Sequence, residues 1–134
     1  DFSVMDLVRT GKNAGFAIHD DNANKLLSVV IFLMPNKNSG TFLYKNNNED
    51  SFGKQVDWKP NRAFIFSRRR GVTYHAYNGD GINTRYTMIY NLMTNRELDA
   101  IIREKKNLKS IFLYTVDLCR FLKNKMLDII KKIT

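Results

Sequence analysis

Leu26-Leu27-Ser28-Val29-Val30-Ile31-Phe32-Leu33 is the stretch on which the fold turns. It is an almost unbroken apolar run, too short for a typical buried helix and rich in β-branched residues. That combination predicts a strand, buried on both faces. Shorter extended segments flank it. Upstream, Phe2 to Arg9 reads as a strand closed by the turn-like Thr10-Gly11-Lys12-Asn13, and Phe16-Ala17-Ile18-His19 resumes the pattern. Asp21-Asn22-Ala23-Asn24 then breaks it with turn formers.

Downstream, Pro35 to Gly40 reads as a loop, Thr41-Phe42-Leu43-Tyr44 as a strand, and the Asn-rich Lys45 to Ser51 as a mobile loop. Phe52 to Trp58, Arg62 to Phe66, Val72 to Tyr77 and Thr84 to Tyr90 complete a set of about eight strands. Asn78-Gly79-Asp80-Gly81 is the strongest hairpin signal in the chain. Short strands at close spacing, without helix–strand alternation, predict a mainly β fold of the sandwich or jelly-roll kind. From Asn95 the apolar period changes to three- and four-residue steps. Two helices are expected there, capped by Asn95 and broken near Asn107–Ser110, with an apolar stripe that covers the β core. Residues 1–94 thus form the β core and 95–134 the C-terminal helices of the same domain.

The 134 residues suffice for one domain with a sizeable core. Cys119 is the only cysteine, so there is no intrachain disulfide and no four-thiolate zinc site, and a reducing, cytoplasmic setting fits. No run is long and apolar enough to predict a membrane span, and no membrane partner is expected. The net charge of +9 is spread over both parts of the chain. It reads as a solvated cationic surface rather than a dedicated polyanion site, which extends to the Arg68-Arg69-Arg70 turn.

The chemistry sits on the only two histidines. His19 and Asp21 are at i and i+2, so on a strand both side chains share a face; Asp20 would point the other way. His75 shares a face with Thr73 and Tyr77. Two imidazoles and one carboxylate on one side make the facial triad of non-haem iron sites, with open positions for substrate and oxygen. Arg85, ten residues past His75, adds a bidentate fork for a carboxylate.

On these residues the segment 1–94 resembles the catalytic core of the 2-oxoglutarate- and Fe(II)-dependent dioxygenases, and within them the prolyl-4-hydroxylase-like branch. His19-x-Asp21, residues 25–33, Ser39-Gly40-Thr41-Phe42-Leu43-Tyr44, Pro60-x-Arg62-Ala63-Phe64-Ile65-Phe66, and His75 with Arg85 carry the resemblance. It implies a cupin-like double-stranded β-helix with helices upstream of Asp1. It implies iron on His19, Asp21 and His75, and 2-oxoglutarate held through its far carboxylate by Arg85 with Thr87 beside it. The cosubstrate is O2, ascorbate is compatible as a reductant, and the substrate is a peptide or small molecule. Leu43 and Met5 are expected to line the pocket and Arg9 to stand near it; Tyr74, Tyr77 and Trp58 are candidates for its mouth but read as packing residues rather than substrate platforms. Phe32 stands where several relatives have a tyrosine that helps hold 2-oxoglutarate, so that contact is expected to be absent or replaced by Thr87 or Tyr44.

Two other readings stand beside this one. A non-catalytic jelly-roll module would bind at most a metal. A nucleic-acid-directed oxygenase is disfavoured because Asn91 stands where such relatives carry a second arginine, and Asp21 argues against the halogenating branch, which lacks the carboxylate.

Overall fold

The computed structural model describes residues 1–103, 115–116 and 118–126. Eight strands run in chain order: β1 Phe2–Thr10, β2 Gly15–His19, β3 Lys25–Met34, β4 Thr41–Tyr44, β5 Phe52–Val56, β6 Ala63–Ser67, β7 Tyr74–Asn78 and β8 Arg85–Met93. They build two four-stranded antiparallel sheets, ordered β1-β8-β3-β6 and β2-β7-β4-β5. The fold is mainly β, as its turn-punctuated strands require.

The apolar run of residues 26–33 lies inside β3, flanked by β8 and β6. Alternation then decides which of its side chains are buried. Ser28 and Phe32 are almost inaccessible, whereas Leu27, Val29 and Ile31 are half-buried, as is Val30 between the two inward residues, where it lines a cleft. The expectation of burial on both faces is therefore corrected. The inner face meets the second sheet, through the Phe66 ring against His75 and the Arg85 guanidinium against Tyr77. The outer face leaves Met5, Leu7 and Ile65 exposed.

The Asn78–Gly81 segment is not a hairpin. It joins β7 to β8, which belong to different sheets. Its turn chemistry serves another neighbour: Gly79 N donates to Ala14 O and Gly81 N to Lys12 O, both 3.0 Å. A Cβ on Gly79 would stand 2.0 Å from Lys12 O, so only glycine allows this backbone approach. Asp80 Oδ1 accepts from the N–H groups of Ile82 (2.9 Å) and Asn83 (2.7 Å), which closes the loop locally.

The Asn-rich loop is the β4–β5 connection. It holds a short 3-10 turn, Glu49–Ser51, whose start is capped by Asn48 Oδ1 accepting from Asp50 N at 3.1 Å. Lys45 N also donates to Ser51 O at 3.0 Å, so the loop is tied across its base.

After β8, Thr94 Oγ1 accepts from Arg96 N at 3.0 Å, at the approach to α1, Glu97–Arg103. Glu97 and Asp99 stand in its first turn and Arg103 in its last, as the helix dipole favours. Ile101 is its buried contact. Residues 118–126 are also helical, and the expected break near Asn107–Ser110 lies outside the described residues. No helix among the described residues is long and apolar enough to cross a membrane.

Candidate metal centre

The two histidines meet because β2 and β7 are antiparallel neighbours in which His19 pairs with His75. The ladder shifts register between Phe16 and His19, a local irregularity of the kind that re-aims side chains. The rings lie 4.4 Å apart. His19 Nδ1 is 2.8 Å from Ala17 O, and His75 Nδ1 is 3.1 Å from Thr73 O. A carbonyl can only accept, so Nδ1 carries a proton in each ring, and in the neutral tautomer this leaves the Nε2 lone pair free for a metal. This is the orientation that metal-ligating histidines use. Burial pushes the His75 imidazole below its ordinary pKa, which keeps it neutral and ready to ligate.

Asp21 lies past the end of β2, so strand alternation is not what turns it inward. Its neighbours do that. Asp20 is held away from the cluster, with Oδ1 accepting from Arg70 Nη1 at 2.6 Å and Oδ2 from Gly71 N at 2.9 Å. The Asp21 carbonyl accepts from Arg68 Nε at 2.9 Å. Arg68 is buried and Arg70 half-buried, which corrects the reading of the arginine turn as a solvated loop. The β6–β7 turn is a clamp on the segment that carries the carboxylate.

Potential ligand atoms of His19, Asp21 and His75 lie within 4.8 Å of one another. The Asp21 side chain is only 5% exposed. Lys25 Nζ sits 2.9 Å from its Oδ1, and Ser28 Oγ is 3.2 Å from its Oδ2 and 2.8 Å from Asn91 Oδ1. Both oxygens are thereby oriented. Lys25 and Ser28 are neighbours of the candidate ligands that the residue pattern alone did not single out. The available signals were a serine inside an apolar run and a lysine one helical-type step from Asp21.

Arg85 projects from β8 into the same cleft, a cavity of about 190 Å³ that also contains the three candidate ligands, and Thr87 follows two residues on along the same strand. Arg85 is 5% exposed and Thr87 is fully buried. The guanidinium carbon stands 3.6 Å from the Tyr77 ring centre and 5.7 Å from that of Trp58. Trp58 is in turn stacked on Phe32 at 4.6 Å, and its Nε1 donates to Pro35 O at 2.7 Å. Arg85 Nε and Nη1 and Thr87 Oγ1 have no hydrogen-bond partner. Burial lowers the Arg85 pKa from its ordinary value, and Tyr77 partly offsets that.

With this geometry in hand, comparison with known proteins adds no identity. The chain matches no family model, and no curated protein matches it.

The remaining candidates divide. Tyr77 is buried against Arg85, with its hydroxyl donating to Asn38 Oδ1 at 3.1 Å, which is a packing position. Trp58 is half-buried and does not line the cleft. Leu43 pairs with His75 on the neighbouring strand and lines an adjacent apolar cavity of about 200 Å³ shared with Phe64, Phe66 and His75. Tyr44 also lines that cavity and has its ring edge-on to Phe52 at 5.9 Å, not near Arg85. Met5 and Arg9 are corrected outright. Both alternate with the inward residues of β1 and are exposed on the outer face of the first sheet.

Proposed function

We propose that the chain is an Fe(II)- and 2-oxoglutarate-dependent oxygenase that hydroxylates a peptidyl-prolyl, amino-acid or other small substrate, releasing succinate and CO2. One observation carries the reading: a two-histidine, one-carboxylate donor set shares its cleft with a buried guanidinium lacking partners at Nε and Nη1. A metal-binding module would account for the triad and leave Arg85 without a purpose. Burying a cation with nothing to neutralise it is costly, and an anionic ligand beside the triad removes that cost.

The reading includes a double-stranded β-helix. The first strand pairs with the eighth, the second with the seventh, the third with the sixth and the fourth with the fifth. Such nesting results when one long antiparallel ribbon is folded across itself into two sheets, as in jelly rolls.

The donor set fits Fe(II): imidazole and carboxylate ligands on one face, with further positions open. His19 and His75 would hold the iron through Nε2 and Asp21 through its carboxylate. Bound there, iron with 2-oxoglutarate supplies the oxygen chemistry, and the protein's part is orientation and shielding. Arg85 donates from Nε and Nη1 to the far carboxylate, and Thr87 adds a hydroxyl donor. Tyr77 and Trp58 fix the guanidinium plane. Phe32, on the same inner face, has no hydroxyl to offer, which leaves the anion to Arg85 and Thr87. Val30, Phe64, Phe66 and Ile89 make the walls apolar and limit water around the reacting centre.

The test is succinate formation from 2-oxoglutarate with Fe(II), ascorbate and oxygen. Wild type is expected to form succinate and Asp21→Ala none. Arg85→Gln should need about 100-fold more 2-oxoglutarate, the effect of losing two charge-assisted hydrogen bonds. Equal activity in the three proteins, or no turnover and no 2-oxoglutarate binding by wild type, overturns the reading.

A further inference from the structure

Lys25 has no part in holding iron or 2-oxoglutarate, yet it stands inside the cleft. Its ammonium is 2.9 Å from Asp21 Oδ1, and its side chain is 29% exposed, so it touches the candidate ligand and solvent at once. Lys25 and Arg85 are the permanent cations among the cleft's lining residues, and Asp21 is the carboxylate. Lys25 also lines a second cavity, of about 190 Å³, with Arg68, Arg96 and Arg103 set against Asp1 and Asp99. Arg96 and Arg103 are exposed, so this second cavity, which shares Lys25 with the cleft, presents cations to solvent.

Charge balance decides what that lysine is for. A divalent cation and the 2-oxoglutarate dianion cancel. Asp21 is then satisfied by the metal and Arg85 by the far carboxylate of 2-oxoglutarate, so the Lys25 ammonium is the unmatched charge. It lies beside Asp21, in a cleft whose other lining includes the apolar Val30, Phe64 and Phe66. We propose, resting on the reading of the cleft as a metal and 2-oxoglutarate site, that Lys25 exchanges partners. It is the counter-ion of Asp21 until a metal takes that carboxylate, and it then binds an anionic group, carboxylate or phosphate, on the substrate to be oxidised. The substrate class is accordingly an organic acid or phosphate ester whose charge lies close to the oxidised carbon. Arg96 and Arg103 extend the attraction outward and steer the anion in.

Two consequences are measurable without turnover. First, the metal competes with the ammonium, so Co(II) binds Lys25→Met about tenfold more tightly than wild type, while Ser28 still orients Asp21. Lys25→Arg, which keeps the charge, stays near wild type. Second, the Co(II)- and 2-oxoglutarate-loaded protein recruits small anions next to the metal. Paramagnetic broadening of the methyl phosphate 31P signal and of the acetate methyl signal should saturate with wild type and Lys25→Arg and vanish with Lys25→Met. The two probes separate phosphate from carboxylate preference. Unchanged or weaker Co(II) binding by Lys25→Met, or equal broadening in all three proteins, overturns the role of Lys25 and leaves the oxygenase reading standing. Failure of wild type to bind Co(II) at His19, Asp21 and His75 overturns both.

Discussion

Arg85 sets stability against binding. Its guanidinium is buried over Tyr77, and no carboxylate among the described residues pairs with it. Replacing such a charge by an apolar side chain of similar length is expected to stabilise the fold by about 1–3 kcal/mol. Arg85→Met should therefore raise the urea midpoint in the absence of ligand and abolish 2-oxoglutarate binding. A loss of stability would mean that the guanidinium already has its partners within the chain. The candidate ligands were legible in the sequence because the chain has only two histidines and one has a carboxylate two residues on. The choice of Asp21 over Asp20 agrees with the structure for a different reason from the one the alternation rule supplies. Asp20 is engaged by Arg70 and Gly71 rather than pointing to the other side of a strand. Lys25, Ser28 and Trp58 were not legible as site residues. Their roles depend on which strands become neighbours, and local pattern carries no information about that.

At the scale of elements, the strands were readable and one of their connections was not. Asn78-Gly79-Asp80-Gly81 has the composition of a two-residue hairpin turn, yet β7 and β8 part into different sheets there. Gly79 is needed because the loop packs its backbone on Lys12 and Ala14, a long-range contact that mimics a local signal, whereas Gly81 serves its own positive φ of 75°. Asp80 makes this loop pH-sensitive. Donation from Asn83 N, then from the Asn83 side chain and Ile82 N, holds its carboxyl below the ordinary 3.8. A carboxyl lowered on folding contributes stability above its unfolded value and loses it as the pH falls through its folded one. The gap in urea midpoint between wild type and Asp80→Ala should thus be constant from neutral pH to about pH 5 and shrink as the pH falls below the ordinary carboxyl value. A gap that persists at the acid end would assign the effect to something other than the carboxylate. Gly40 is a second backbone constraint, at the entry to β4. A Cβ there would stand 1.8 Å from Val56 O, so Gly40→Ala forces the start of β4 and the end of β5 apart. A loss on the order of 2 kcal/mol or more is expected in chemical denaturation. Wild-type stability would show that this edge yields freely.

For the whole molecule, the mainly β class followed from turn spacing, whereas the pairing of first with eighth and second with seventh strands did not. That nesting brings residue 19 beside residue 75 and residue 85 into the same cleft, so the site is a product of topology. The net charge of +9 gave no such guidance, since much of what looked like solvated surface in the arginine turn is structural. The most direct test of the account is a calorimetric titration of 2-oxoglutarate into wild type and Asp21→Ala, each with and without Mn(II). The account predicts saturable, metal-dependent binding by wild type and none by Asp21→Ala, because the metal and Arg85 hold opposite ends of one ligand. Binding of equal strength without metal, or none by wild type with Mn(II) present, would contradict it.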